Sequence, residues 1–205
     1  MSIKSEDKQR FGQKMDTKSE LPIFVKELLQ KIEDAPNFKE YYNIITECKQ
    51  NNKSFEKINA SLYKTGNYYL VLGLESDIDF YKELFTELKK NNIGLAPQFV
   101  TAAKNKEGFS ATLLKVDGAS EGNLINFSEG YHLLSDHAKK QAFQDIRRLL
   151  KSGLINEDLT NIKYLKITPD ANHRIVSLDW ENTQTLNEDE RAPFLNEMHK
   201  LIFKN

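Results

Sequence analysis

The sequence of 205 residues lacks the features that mark several common protein classes. Its single cysteine, Cys48, excludes an intramolecular disulfide and any cysteine-based zinc site. No apolar run approaches the roughly 20 residues that a membrane-spanning helix needs, and we find no secretory signal before the first predicted helix. The 29 basic residues are balanced by 30 acidic ones, which removes the usual electrostatic argument for binding DNA or RNA. We therefore expect a soluble protein of a reducing compartment, either cytoplasmic or exported into a host cell.

The residues that are present suffice for a hydrophobic core. Twelve Phe and eight Tyr belong to an apolar and aromatic fraction of 39%. The length suits one domain, or one domain made of two lobes. Residues 1–20 mix charges of both signs with almost no apolar periodicity, which predicts a disordered leader, with an export signal as the sharper alternative. Residues 21–205 are the predicted folded part.

The first half of the folded part is predicted to be rich in β-strands. A helix is expected over residues 21–35, and residues 38–47 suit either a second helix or a strand. Runs rich in β-formers predict two antiparallel hairpins over residues 54–74 and 98–116. Between them, Asp77 is the predicted N-cap of an amphipathic helix. The order is hairpin, helix, hairpin.

The second half is predicted to be mainly helical. Ser135 or Asp136 can cap a long helix with a continuous apolar stripe, and Gly153 lies where a C-terminal glycine belongs. Two short strands (163–167 and 174–179) and a closing helix (188–203) follow. Because strands and helices segregate between the halves, we predict an α+β fold with two lobes.

Most catalytic motifs are absent from the sequence. The four histidines fall in different predicted elements without metal-ligand spacing, and no nucleophile motif or glycine-rich phosphate cradle occurs. One pair of residues remains. Asp158 lies in a polar loop after the long helix, and Asp179 ends the second strand of the hairpin that follows. Because a hairpin reverses the chain, it can bring the two aspartates together. Such carboxylates either hold Mg²⁺ and orient a hydroxyl or are two solvated loop residues.

The order of four segments resembles the protein-kinase-like fold, in particular the branch of aminoglycoside and choline phosphotransferases and the very small bacterial effector kinases. The first segment is a helix with the beginning of the following strand (residues 82–97), and the second is a strand with the linker between the lobes, called the hinge (113–118). The third is a helix that leads into a loop (149–161), and the fourth is the run IVSLDWE (175–181). The resemblance implies a bilobal fold, with a β-rich N-lobe over about 40–116 and a truncated, mostly helical C-lobe over about 120–205.

The resemblance also implies ATP and Mg²⁺ as cofactors and gives roles to particular residues. It implies a catalytic role for Asp158 and Glu83, metal binding for Asp179 and Asn161, and adenine contacts at the backbone of Lys115 and Val116.

The sequence departs from this family at the phosphate-binding positions. Leu72 or Gly73 stands where the family has its ATP lysine, and residues 51–56, where the glycine-rich loop is expected, contain no glycine. Lys64, nineteen positions before Glu83, is the first alternative lysine for the phosphates, and Lys53 and Lys163 are the others. In the predicted catalytic loop, Asn156 replaces the family's histidine.

Three functions follow from these patterns. The first is a catalytically impaired, pseudokinase-type protein that binds a macromolecular partner, a protein rather than DNA, RNA or a membrane, as a secreted bacterial effector can. The alternative is an active, atypical small kinase in which Asp158 acts as base and Asp179 binds the metal. The third is an α+β interaction domain whose aspartates are incidental.

Overall fold

A computed structural model of the protein describes residues 21–119, 122–156, 159, 164–178, 180, 183–184 and 186–203. It confirms the predicted α+β class, because an antiparallel five-stranded sheet lies in the first half and long helices dominate the second. The predicted leader over residues 1–20 lies outside the described residues, as do Asp158, Asn161 and Asp179.

Two helices precede the sheet. Helix α1 spans Ile23–Asp34 and helix α2 spans Phe38–Asn51. The stretch that suited helix or strand is therefore helical. The side chain of Asn37 caps α2 by accepting a hydrogen bond from the backbone N–H of Glu40 at 3.0 Å, which satisfies a donor that the first turn leaves free.

The sheet has the spatial order β1-β2-β3-β5-β4, with every neighbouring pair antiparallel. Its strands are β1 (Phe55–Lys57), β2 (Leu62–Thr65), β3 (Tyr68–Leu74), β4 (Gln98–Lys104) and β5 (Phe109–Lys115). Both predicted hairpins are present, and Gly66 adopts φ 60° in the β2–β3 turn, a conformation that glycine adopts without strain. The β1–β2 turn covers residues 58–61, whereas residues 51–56, where the glycine-rich loop was expected, run from the end of α2 into β1.

Helix α3 (Glu75–Lys90) connects β3 to β4. It begins two residues before the predicted N-cap, because Asp77 lies inside its first turn and its carboxylate accepts a hydrogen bond from the Leu74 N–H at 2.6 Å. An acidic residue at this third helical position also interacts favourably with the helix dipole.

The second half contains two longer helices and short strands. In chain order these are β6 (Ile125–Asn126), α4 (Phe127–Gly130), α5 (Asp136–Lys151), β7 (Ile155–Asn156), β8 (Lys166–Ile167), β9 (Ile175–Val176), β10 (Thr183–Gln184) and α6 (Glu188–Phe203). Strands β6, β8 and β9 form one small sheet, and β7 pairs with β10. Ser135 caps α5, and Gly153 follows it with φ 77°, as predicted.

Two hydrophobic clusters lie on opposite faces of the five-stranded sheet. Along β3, Tyr68 and Leu70 pack with α1 and α2, whereas Tyr69 and Val71 pack with α3 and the second half. This alternation is the two-residue period of a strand whose faces are both covered. Within the described part of the chain, no helix is long and apolar enough to span a bilayer.

Candidate functional site

The strands that flank the two predicted aspartates lie together. Strand β7 ends at Asn156 and pairs with β10, which begins at Thr183, while β8 and β9 form a hairpin between them in sequence. The side chain of Asn156 donates a hydrogen bond from Nδ2 to Ser177 Oγ, and both residues are fully buried. The residues two positions before Asp158 and Asp179 are therefore in contact, although the two aspartates themselves are outside the described residues.

Trp180 anchors the segment that carries Asp179. Its side chain is buried, and its Nε1 donates a hydrogen bond to the backbone oxygen of Ser177 at 2.9 Å. The indole meets the ring of Phe85 on α3 edge-on, with 6.2 Å between ring centroids. The Ser177 N–H also donates to Leu95 O at 2.9 Å, in the loop after α3. The end of β9 is thus fixed against α3 and the loop that follows it.

Asp145 is a buried carboxylate that the sequence reasoning missed. From α5 it accepts hydrogen bonds from Gly94 N at 2.8 Å, Arg148 Nη1 at 2.9 Å and Gln141 Nε2 at 3.2 Å. Burial raises the pKa of this carboxyl, although the Gly94 N–H and the Arg148 charge oppose the rise. Its signal in the sequence is an acidic residue inside the apolar stripe of α5. Its role is to join α5 to the loop after α3.

Lys64 bridges the sheet to the segment between β5 and β6. It pairs in register with Tyr69, on the face covered by α3 and the second half. Its Nζ donates to Gly122 O at 2.7 Å and to Asn123 Oδ1 at 2.8 Å. Only 7% of the residue is exposed, and burial lowers the pKa of the ammonium. The alternative lysine therefore already has oxygen partners within the chain.

The other residues of the predicted nucleotide site are placed differently. Glu83 is exposed on α3, and among the described residues no ion pair joins it to Lys64. Lys115 Nζ lies 4.0 Å from Asp117 Oδ1. Val116 is buried, and its backbone N–H donates to Asn67 O at 2.9 Å, so this hinge donor is already used. The structure does not bring Glu83 and Lys64 together, and the roles of all these residues stay predictions.

Gly73, one of the two residues at the predicted position of the missing lysine, has the Asp77 carboxylate directly beside it. The alternation along β3 places Gly73 on the face toward α3, while Leu72 packs with the cluster beneath α1 and α2. A Cβ atom on Gly73 would lie well inside van der Waals contact with Asp77 Oδ2, the carboxylate that caps α3. Glycine at this position therefore permits the tight junction between β3 and α3.

We predict that Gly73→Ala lowers the free energy of unfolding by about 1–3 kcal/mol, because the new methyl group must displace the Asp77 carboxylate from Leu74 N–H. Chemical denaturation followed by circular dichroism measures this. Asp77→Ala supplies the matched test, since it removes the atom that the methyl group meets. The double variant should lose less than the sum of the single variants, and additivity to within about 0.5 kcal/mol would contradict this account of Gly73.

In the described part of the chain, no three His, Cys, Asp or Glu residues are grouped closely enough to hold a metal ion. The predicted ligands Asp179 and Asn161 lie outside that part, so the metal site stays a prediction.

Comparison with known proteins gives a structural likeness but no sequence match. No protein-family model matches the chain, and no curated protein matches it. The solved structure of the Cydia pomonella granulovirus kinase PK-1 is similar, with 14% sequence identity and a TM-score of 0.40. The similar region covers 71% of this chain and 58% of the viral chain, so this chain spans less than two thirds of that kinase. A likeness of this size does not assign the chain to a family.

Proposed function

We propose that the protein is a kinase-like domain of the pseudokinase type, which acts by binding a protein partner and not by transferring phosphate. The observation that carries the proposal is the state of Lys64. It is the only buried lysine among the described residues, and its ammonium is held by Gly122 O and Asn123 Oδ1.

The other positions that should meet a triphosphate support the same conclusion. The β1–β2 turn, residues 58–61, has no glycine, so its side chains keep the backbone from a close approach to phosphate. Of the two residues at the predicted position of the family's lysine, Leu72 and Gly73, neither carries a charge, and Gly73 cannot accept a side chain without displacing Asp77. Phosphoryl transfer depends mainly on positioned positive charge, and this chain offers little of it here.

Groups that the resemblance assigns to ATP already have partners within the chain. The Val116 N–H, assigned to adenine, donates to Asn67 O, and the Lys64 ammonium donates to Gly122 O and Asn123 Oδ1. Tyr69 is 1% exposed, so the sheet face is covered by the chain's own side chains.

The active-kinase alternative has one observation in its favour, because a lysine does reach the face of the sheet that meets the second half. For that function, Lys64 would have to leave both oxygen partners and regain an ordinary pKa in contact with phosphate. The proposed function and this alternative therefore differ in whether MgATP displaces Lys64.

A phosphate-transfer assay with radiolabelled MgATP tests the proposal. We expect the wild-type chain to release or transfer no more phosphate than Asp179→Ala or Lys64→Met does. We also expect about 5 mM MgATP to leave its melting temperature unchanged, because a ligand raises stability only when it binds the folded state. Turnover by the wild-type chain that is lost in Asp179→Ala would overturn the proposal. Circular dichroism confirms that each variant is folded.

A further inference from the structure

A groove with a basic rim lies between the end of α2 and strand β1. Strand β1 is at the opposite edge of the sheet from β4. It has a volume of about 530 Å³ and is lined by Lys49, Asn52, Lys53, Phe55, Glu56, Lys57, Ile58 and Asn59. We call it the lysine groove after Lys49, Lys53 and Lys57. All three lysines are exposed.

The lysine groove concentrates positive charge in a chain whose net charge is −1. Within the described residues, none of its three lysines forms an ion pair. Lys49 lies in the last turn of α2, where a cation interacts favourably with the helix carbonyls, but this accounts for only one of the three. Glu56 also lines the groove, so an anion placed there is attracted by three lysines and repelled by one carboxylate, which leaves a net attraction.

The wall of the groove suits an extended chain. Strand β1 pairs only with β2 and is therefore one edge of the sheet. An edge strand can accept a further strand through its free backbone groups. The Phe55 N–H already donates to Asn52 O at 3.0 Å, so an added strand would pair through the remaining backbone groups of β1. Ile58 follows β1 and is 46% exposed, which gives such a strand an apolar contact beside the lysines. We infer that the lysine groove docks an acidic, extended segment of a partner protein, an inference that rests on the proposed function as a binding module.

A nucleic acid fits this groove less well than an acidic peptide. Single-stranded nucleic acids gain much of their binding energy by stacking bases on exposed aromatic rings. Phe55 is the aromatic residue that lines the groove, and it is only 2% exposed because its ring packs on Tyr63 and Phe24. The groove therefore offers charge, an edge and an aliphatic side chain, but no stacking surface.

Fluorescence anisotropy with a labelled twelve-residue peptide of alternating Glu and Val tests the inference. We expect binding by the wild-type chain that weakens as salt rises, because the lysines are exposed and screened. The triple variant Lys49→Glu/Lys53→Glu/Lys57→Glu should bind at least tenfold more weakly, since each of three charge contacts turns into a repulsion.

A matched variant separates the groove from the overall charge. Lys82→Glu/Lys89→Glu/Lys90→Glu makes the same change in net charge on exposed positions of α3 and should keep the wild-type affinity. An equal loss in both triple variants, or no binding of the peptide by the wild-type chain, would overturn the inference. Tighter binding of a twelve-residue thymidine oligonucleotide than of the peptide would also overturn it and mark a nucleic-acid site.

The outcome is distinguishable from that of the phosphate-transfer assay. Peptide binding that depends on the lysine groove, together with wild-type turnover of ATP, would refute the proposed function and keep the docking site. Absence of both activities would refute the docking site and leave the proposed loss of phosphate transfer standing. Denaturation of the triple variants, followed by circular dichroism, shows that each is as stable as the wild-type chain.

Discussion

Replacing Trp180 with alanine is expected to lower the free energy of unfolding by about 3–5 kcal/mol, the usual cost of deleting a buried large aromatic side chain. Trp180 is 1% exposed, meets Phe85 edge-on and donates to Ser177 O. The change therefore removes the contact between α3 and the segment after β9, and leaves a buried carbonyl without this donor. Because Trp180 is the only tryptophan, circular dichroism and not intrinsic fluorescence is the measurement of choice.

Two further variants make the Trp180 prediction specific. Trp180→Phe keeps one buried aromatic ring but loses the Nε1 donor and the volume of the second ring, so it should cost less than Trp180→Ala, about 2 kcal/mol. Tyr164→Ala removes an aromatic ring that is 53% exposed and should change stability by less than about 1 kcal/mol. If the Trp180→Ala protein were as stable as the Tyr164→Ala protein, the Trp180 indole would not be what holds the segment after β9 against α3.

The second large effect is expected at Asp145. We predict that Asp145→Ala lowers the free energy of unfolding by about 2–3 kcal/mol, because hydrogen bonds to a charged group are lost and the Gly94 N–H loses its acceptor. The value lies below that for a fully buried ion pair, since Arg148 is 42% exposed and can return to water. Asp79→Ala, at an exposed position of α3, is the control and should be nearly neutral.

The raised pKa of Asp145 gives this prediction a pH dependence of known sign. A carboxyl whose pKa is higher in the folded than in the unfolded chain binds its proton more tightly when folded. Its stabilising contribution is complete below the unfolded value of 3.8 and is lost as the pH rises through the folded pKa. The difference in the free energy of unfolding between the wild-type chain and Asp145→Asn should therefore fall as the pH rises from 3.8 to the folded pKa. A difference that rises with pH would mean that the pKa is depressed.

Local pattern was enough to predict much of the fold. The two hairpins, α3 between them, α5 with its Ser135 cap and the closing α6 were predicted because each has its own periodicity, turn or cap in the sequence. The error at the start of α3 has a local cause as well. Asp77 was taken as an N-cap, but it reaches back from inside the first turn, and both positions place an acidic residue near the same backbone donors.

The candidate site was harder to predict because its contacts join residues far apart in the chain. The alternation in β2 gives the face of Lys64, but only the fold shows that Gly122 and Asn123 meet its ammonium. The same holds for Asn156 and Ser177, which form a buried contact across the β8–β9 hairpin. The resemblance put Leu72 or Gly73 at the position of the family's lysine, and the structure adds that a side chain on Gly73 would have to displace the Asp77 carboxylate.

The packing of α1 and α2 on the sheet limits how another protein can approach it. With these helices on one side and α3 and the second half on the other, the sheet is an inner layer, and the middle of β5 has no solvent-facing side chain. Partners that recognise such a layer are confined to its lateral margins, where a short strand presents unpaired backbone groups to solvent. A partner that binds the sheet must therefore do so as a single extended segment that runs along an edge strand.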